Sequence, residues 1–158
     1  MPRLNDPKSA SVESRLPEEL IEAYLKTEYR AVVDGAAIAL GVGAQSSGIL
    51  SLFEQSKTDC AAFITAENPY SKPQTPAANA ERQQQLGSDL SALGITYFPG
   101  EGRGEDHVWA PEASFLALGI DREAASDLGR KYGQNAIVWV GSDGVPELLL
   151  LTSNGSTL

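Results

Sequence analysis

The chain has 158 residues, and 21 acidic against 12 basic side chains leave a formal net charge of −9 at pH 7. That length suits one domain able to bury roughly 70% of the surface its unfolded form exposes, without a metal or disulfide staple. With Cys60 the only cysteine and His107 the only histidine, a disulfide framework, a zinc knuckle and a paired-histidine metal site are excluded, and no metal or cofactor is expected.

The negative balance removes the field that non-specific nucleic-acid binding relies on, leaving Arg3, Lys8 and Arg15 as a weakly basic segment. Residues 1–15 are polar and aperiodic, as in a flexible leader. They lack the pattern of a targeting signal, and no apolar run approaches about 18 residues, so a cytoplasmic protein without a membrane span is expected.

Leu16, Leu20 and Tyr24 repeat every four residues beside Ile21 and Leu25, with Pro17 suited to the first helical position and Glu18 and Glu19 to the first turn. This predicts an amphipathic helix. "YRAVVDGAAIALGVG" places two short apolar runs around Asp34-Gly35, a hairpin signal. A second helix is predicted from Ser46 or Ser47, burying Ile49, Leu50 and Phe53. "CAAFITA" reads as a strand covered on both faces.

Thr75-Pro76 and Leu93-Gly94 bound a third helix of about 17 residues. "ITYF" is then a strand, "PGEGRGEDHVWAPEA" a long loop and "SFLALGI" a further strand. Asp121 caps a fourth helix closed by Gly133, and "AIVWV", "GSDG" and "VPELLLL" make a terminal hairpin whose last strand starts, at Pro146, on an edge. Residues 152–158 read as a flexible tail. The pattern predicts a single α/β or α+β domain over residues 16–151, with a mixed sheet of about seven strands, hairpins at both ends and about four helices.

The third helix carries the first site signal. Stepping back along its apolar stripe of Leu86, Leu90 and Leu93 reaches Arg82 and Asn79. Following the strand "FITA", these are expected at the carboxyl end of the sheet, where Thr65, Asn68, Ser71 and the helix N-terminus would cradle a carboxylate or phosphate. A second reading has Arg82 paired with Glu67 or Glu112, locking the loop.

Glu112 enters a strand where an open sheet puts a site residue, and burial would fit it for general acid or base work. Trp109 would wall a pocket or pack under the loop. Gln134 and Asn135 would reach a ligand or cap carbonyls. Glycines 100, 102 and 104 follow a strand without opening a helix, so they match no phosphate-binding fingerprint; the segment reads as a solvated loop, or a lid with Arg103 and His107. No G-x-S-x-G elbow occurs, and Cys60 reads as a buried structural thiol.

"FITAENPYS", "NAERQQQLGSDLSALG", "EGRGEDHVWAPEASFLALGI" and "LGRKYGQNAIVWV", in this order and spacing, resemble the bacterial domain-of-unknown-function family 3293 over about residues 24–150. The resemblance implies no activity. Its motif positions fall on Thr65, Ala66, Asn68 and Pro69, on Asn79 and Arg82, on Pro111, Glu112, Ser114 and Phe115, and on Gln134 and Asn135. Glu67 departs from the aromatic residue associated with its position.

Two functions follow as expectations. One is binding of a small anionic ligand, a nucleotide or acidic metabolite, with Glu112 as the one named base should a reaction occur. The other is a protein interaction module that offers the edge strand "ELLLL" to a partner, its polar cluster being structural. Exposure of those leucines separates them.

Overall fold

A computed structural model of the protein describes residues 17–104 and 111–151; the leader, the tail, His107 and Trp109 lie outside the described residues. In chain order the elements are α1 (Glu18–Lys26), β1 (Glu28–Val33), β2 (Ala36–Leu40), α2 (Ser47–Ser56), β3 (Ala61–Ile64), a single 3-10 turn (Pro69–Ser71), α3 (Pro76–Ala92), β4 (Tyr97–Arg103), β5 (Glu112–Leu118), α4 (Arg122–Lys131), β6 (Ala136–Val140) and β7 (Pro146–Leu150). The helix starts follow capping chemistry. Ser46, Thr75 and Asp121 each accept a hydrogen bond from the backbone three residues on, worth about 1 kcal/mol apiece.

The seven strands form one sheet in the order β2-β1-β4-β5-β3-β6-β7. Every pairing is antiparallel, which corrects the expected mixed sheet: the molecule is one α+β domain. The reason lies in how the helical crossovers land. The connection through α3 carries β3 to β4 with β5 between them, and the one through α4 carries β5 to β6 with β3 between them. Each crossover therefore joins strands that run the same way, while the strand between them runs opposite and takes the hydrogen bonds.

Each face of the sheet buries a core. On one face Ile49, Leu52 and Phe53 of α2 pack with Tyr29, Ala31, Leu40, Phe63, Leu148 and Leu150. On the other, Leu86 and Leu90 of α3 and Ala125 and Leu128 of α4 pack with Ala62, Ile64, Ala117, Ile137 and Leu149. The first core joins residues from both ends of the strand order because the sheet curls around α2. Gly43, just past β2, donates to the carbonyl of Pro146 at 2.9 Å, and Ser46 donates to that of Gly144 at 2.9 Å.

Three expectations are corrected. Leu93 is 58% exposed and Leu25 41% exposed, because Leu93 is the residue after the last turn of α3 and Leu25 faces away from the core contacts of Ile21 and Tyr24. β4 extends through "PGEGR", predicted as loop, and β5 begins at Glu112, so the two make a hairpin from Tyr97↔Ala117 to Gly102↔Glu112. Glycines weaken strands on average, yet Gly100 is required here by close approach. A Cβ on it would lie 2.5 Å from the Arg30 carbonyl oxygen and 3.0 Å from the Phe63 ring. Gly100→Ala is expected to lose about 1–3 kcal/mol, read as a lower denaturant midpoint at unchanged slope.

The edge strand expected to meet a partner is covered. Leu148, Leu149 and Leu150 of β7 are all buried, divided between the two cores.

Candidate functional site

A cavity opens at the end of the sheet where β3 and β4 finish and β5 and β6 begin, closed on one side by Tyr24 of α1. It holds about 620 Å³ of empty space, part of it open to solvent. Its apolar side is Tyr29, Phe63, Ile137, Val138 and Leu148; its polar side is Thr65, Asn68, Ser71, Glu112, Ser114, Gln134 and Asn135. Six of the eight residues singled out from the sequence thus line one cavity, and Asn79 and Arg82 stand behind it.

The polar side rests on a loop held out of ordinary backbone geometry. Asn68, Tyr70 and Ser71 have φ of 47°, 57° and 61°; asparagine tolerates the left-handed region, whereas tyrosine and serine reach it only when their surroundings hold them. The supports are specific. Asn79 accepts from the Asn68 backbone N–H at 2.9 Å and donates Nδ2 to Asn68 Oδ1 at 3.0 Å. Tyr70 donates its N–H to the Gly133 carbonyl at 2.7 Å, and Asn135 donates Nδ2 to Ser71 Oγ at 3.0 Å. Gly133 has φ of 69°, and a Cβ there would sit 2.9 Å from Pro69 Cβ, so the loop closes down on a position only glycine suits.

Arg82 contacts no carboxylate among the described residues. Its Nε donates to the Ala66 carbonyl at 2.9 Å and its Nη2 to the Tyr132 carbonyl at 2.8 Å, while its guanidinium lies 5.7 Å from the centre of the Tyr132 ring. It ties the end of β3 to the end of α4. The expected pairing with Glu67 or Glu112 is therefore not formed, and Arg82 is not among the residues that line the cavity. Of the pair read from the helical stripe Asn79 is buried, but Arg82 is half-buried and Gln83 takes the second buried position; nor did the stripe indicate that backbone carbonyls where strand and helix end would claim the guanidinium.

Among the described residues Glu112 is the only charged side chain in the lining. Its Oε2 accepts from Asn68 Nδ2 at 2.9 Å, and its Oε1 has no partner among the described residues. Burial pushes its carboxyl above the usual range, the Asn68 hydrogen bond pulls the other way, and the charge of Glu67 pushes it up further. Burial also raises Glu67, against the hydrogen bond from the Ala113 backbone. The Tyr24 phenol is raised by burial, opposed by hydrogen bonding with Ser71 and Asn135. Tyr24, Thr27, Tyr29 and Phe63 join the lining without having been singled out, and Ser114 joins it from the motif positions. Their side chains look like core or turn residues in the sequence, and only the curl of the sheet turns them inward.

Gly102 also lines the cavity, and a Cβ there would make ordinary contacts, 3.5 Å from the Tyr29 ring; it leaves room. Arg103 pairs at the surface with Glu101 at 2.7 Å. Among the described residues no group of three histidines, cysteines or acids is placed to hold a metal ion, and no helix is long and apolar enough to cross a membrane. Cys60 donates Sγ–H to the Ile120 carbonyl at 3.2 Å, and burial raises its thiol.

An α+β domain with a curled antiparallel sheet and a cavity at one end is the class these observations define. Residues 64–137 match the model of a family described as protein of unknown function (DUF3293), and the chain resembles that family over this stretch, which contains all eight site residues read from the sequence. No curated protein and no solved structure matches the chain.

Proposed function

We propose that the domain binds a small organic molecule in the cavity at the strand ends. The observation that carries this reading is Glu112, a largely buried carboxylate with one oxygen unpaired, set between an apolar wall and a polar one. The anionic ligand expected from the sequence loses its anchor: the guanidinium of Arg82 is bonded to two carbonyls, and among the described residues no lysine, arginine or histidine lines the cavity. A carboxylate or phosphate entering it would meet a like charge. Burial of the β7 leucines removes the apolar edge on which the interaction-module reading relied.

Binding accounts for the site better than covalent catalysis. Ser71 Oγ accepts from Asn135, and its other neighbour is the Tyr24 phenol, whose raised pKa makes it a poor acceptor of the serine proton.

An ionised Glu112 opposes folding. Its raised native pKa means that the stabilisation linked to its protonation is fully present below the ordinary carboxylate range and is lost as pH rises through the raised value. Glu112→Gln, which keeps an oxygen for Asn68, is expected to be more stable than wild type at pH 7 by about 1 kcal/mol. The advantage should shrink to nothing as pH falls below about 4, and paired thermal melts at the two pH values measure it.

The binding reading is tested by amide NMR of the 15N-labelled protein against a small-molecule library. Hits should move Thr65, Asn68 and Gln134 together, and Gly102→Leu, which fills the cavity, should abolish those shifts while keeping a dispersed spectrum. Shifts that cluster elsewhere, or that survive in Gly102→Leu, overturn it.

A further inference from the structure

We infer that the ligand class of this cavity is an organic ammonium ion, a small amine whose cation sits on Glu112 Oε1 and whose aromatic or branched aliphatic body lies against Tyr29 and Phe63. This rests on the binding reading above and adds the sign of the ligand's charge and the direction of its hydrogen bonds.

The argument is a count of donors and acceptors. The hydroxyls of Thr27, Tyr29, Thr65 and Ser114 donate to the carbonyls of Ala23, Tyr24, Ala113 and Glu112. The side-chain amide nitrogens are engaged as well. Asn68 Nδ2 donates to Glu112, Asn135 Nδ2 to Ser71, and Gln134 Nε2 to the carbonyls of Glu67 and Tyr132 at 3.0 and 3.3 Å. Flipping Gln134 would set its oxygen against two carbonyl oxygens, and flipping Asn68 would set its nitrogen against the Gln74 N–H, so both orientations are fixed by their partners.

Beside the hydroxyls of Tyr24 and Ser71, which lie next to each other and each carry a proton, what the wall has left to offer is acceptors. Glu112 Oε1 and Gln134 Oε1 receive no hydrogen bond from the described residues. An ammonium brings three donors and no acceptor, the complement of such a wall, whereas a carboxylate or phosphate brings acceptors alone. Charge points the same way. Among the described residues Glu112 is the one charge in the lining, and Glu67 lies close enough behind it to act on it electrostatically. A cation is drawn to both. The apolar side suits the rest of the molecule: Tyr29 and Phe63 meet edge to face with centroids 5.4 Å apart, and aromatic faces beside a desolvated cation add further attraction.

The test uses two sets of near-isosteres, phenethylamine, phenethyl alcohol and phenylacetate, and isoamylamine, isoamyl alcohol and isovalerate, titrated into the labelled full chain at pH 7.5. In at least one set the amine should move Thr65, Asn68 and Gln134 with an affinity about tenfold or more above that of its alcohol, and the carboxylate should leave them unmoved. Glu112→Gln should narrow the gap between amine and alcohol to less than about threefold. Acidification should weaken amine binding as Glu112 takes up a proton.

An alcohol or carboxylate that binds as well as its amine, or an amine preference untouched in Glu112→Gln, overturns the inference while leaving the binding reading intact. Silence from all six compounds also overturns it. In that case a library hit on the same three amides would keep the binding reading, and a library silent on them would end both.

Discussion

Arg82→Ala is expected to lower stability by about 3–4 kcal/mol, because two charge-assisted hydrogen bonds are lost and the carbonyls of Ala66 and Tyr132 lose a donor between β3 and α4. For a chain of this size that is a fall of roughly 10 °C in Tm. Arg82→Lys should recover less than half. A single ammonium on a flexible stem cannot reproduce a planar fork that reaches carbonyls from two elements, and it stacks less well over Tyr132. Thermal melts of the three proteins measure the effect, and NMR locates it: the amides of residues 66–71 and 132–135 should move furthest. An Ala variant that melts within about 2 °C of wild type would mean that the guanidinium is not a clamp.

Asn79→Leu is expected to cost about 2–3 kcal/mol by a different route. The substitution removes both bonds to Asn68, leaving its backbone N–H without the acceptor that holds it, and an unpaired buried donor retains its desolvation penalty. Asn68, at φ of 47°, then loses a main support for its left-handed conformation. The consequence reaches the cavity, since Asn68 Nδ2 makes the one hydrogen bond on the Glu112 carboxylate among the described residues. Loss of that bond should raise the Glu112 pKa further, because the carboxylate form was the one it favoured. Carboxyl carbon NMR across a pH titration reads this directly; an unshifted Glu112 midpoint in a folded Asn79→Leu would mean that the asparagine pair does not govern the carboxylate.

The elements were legible where local chemistry decides them. Asp34-Gly35 made its hairpin with φ of 51° and 83°, and Ser46, Thr75 and Asp121 capped the helices they were expected to cap. Strand direction was not legible. A strand-helix-strand order predicts parallel neighbours only when the crossover lands next door, and here those through α3 and α4 land one strand further along and that through α2 further still, a choice made by distant residues. Gly100 hid the second half of β4 for a related reason, since the ring and carbonyl that demand its smallness come from β3 and β1.

The cavity lining was legible by position, and the partners of Arg82 were not. Thr65, Asn68, Ser71, Glu112, Gln134 and Asn135 fall at strand ends and loop edges, where polar residues beside apolar runs are visible in sequence. The role of Arg82 depends on two carbonyls, one of them 50 residues away, and carbonyls leave no mark in a sequence. The charge of the cavity followed from that one partnership.

The interleaved strand order also bears on how the chain is made. β3 pairs on one side with β5, Ala61 opposite Leu118, and on the other with β6, Ala61 opposite Val140. Neither partner has been synthesised when β3 leaves the ribosome. At about 5–20 residues per second the wait for β5 is roughly 3–10 s, during which "AAFI" is an apolar segment with both hydrogen-bonding edges open. A nascent chain stalled between residues 65 and 111 would display that segment to chaperones and to other chains, and completing β5 would begin to withdraw it.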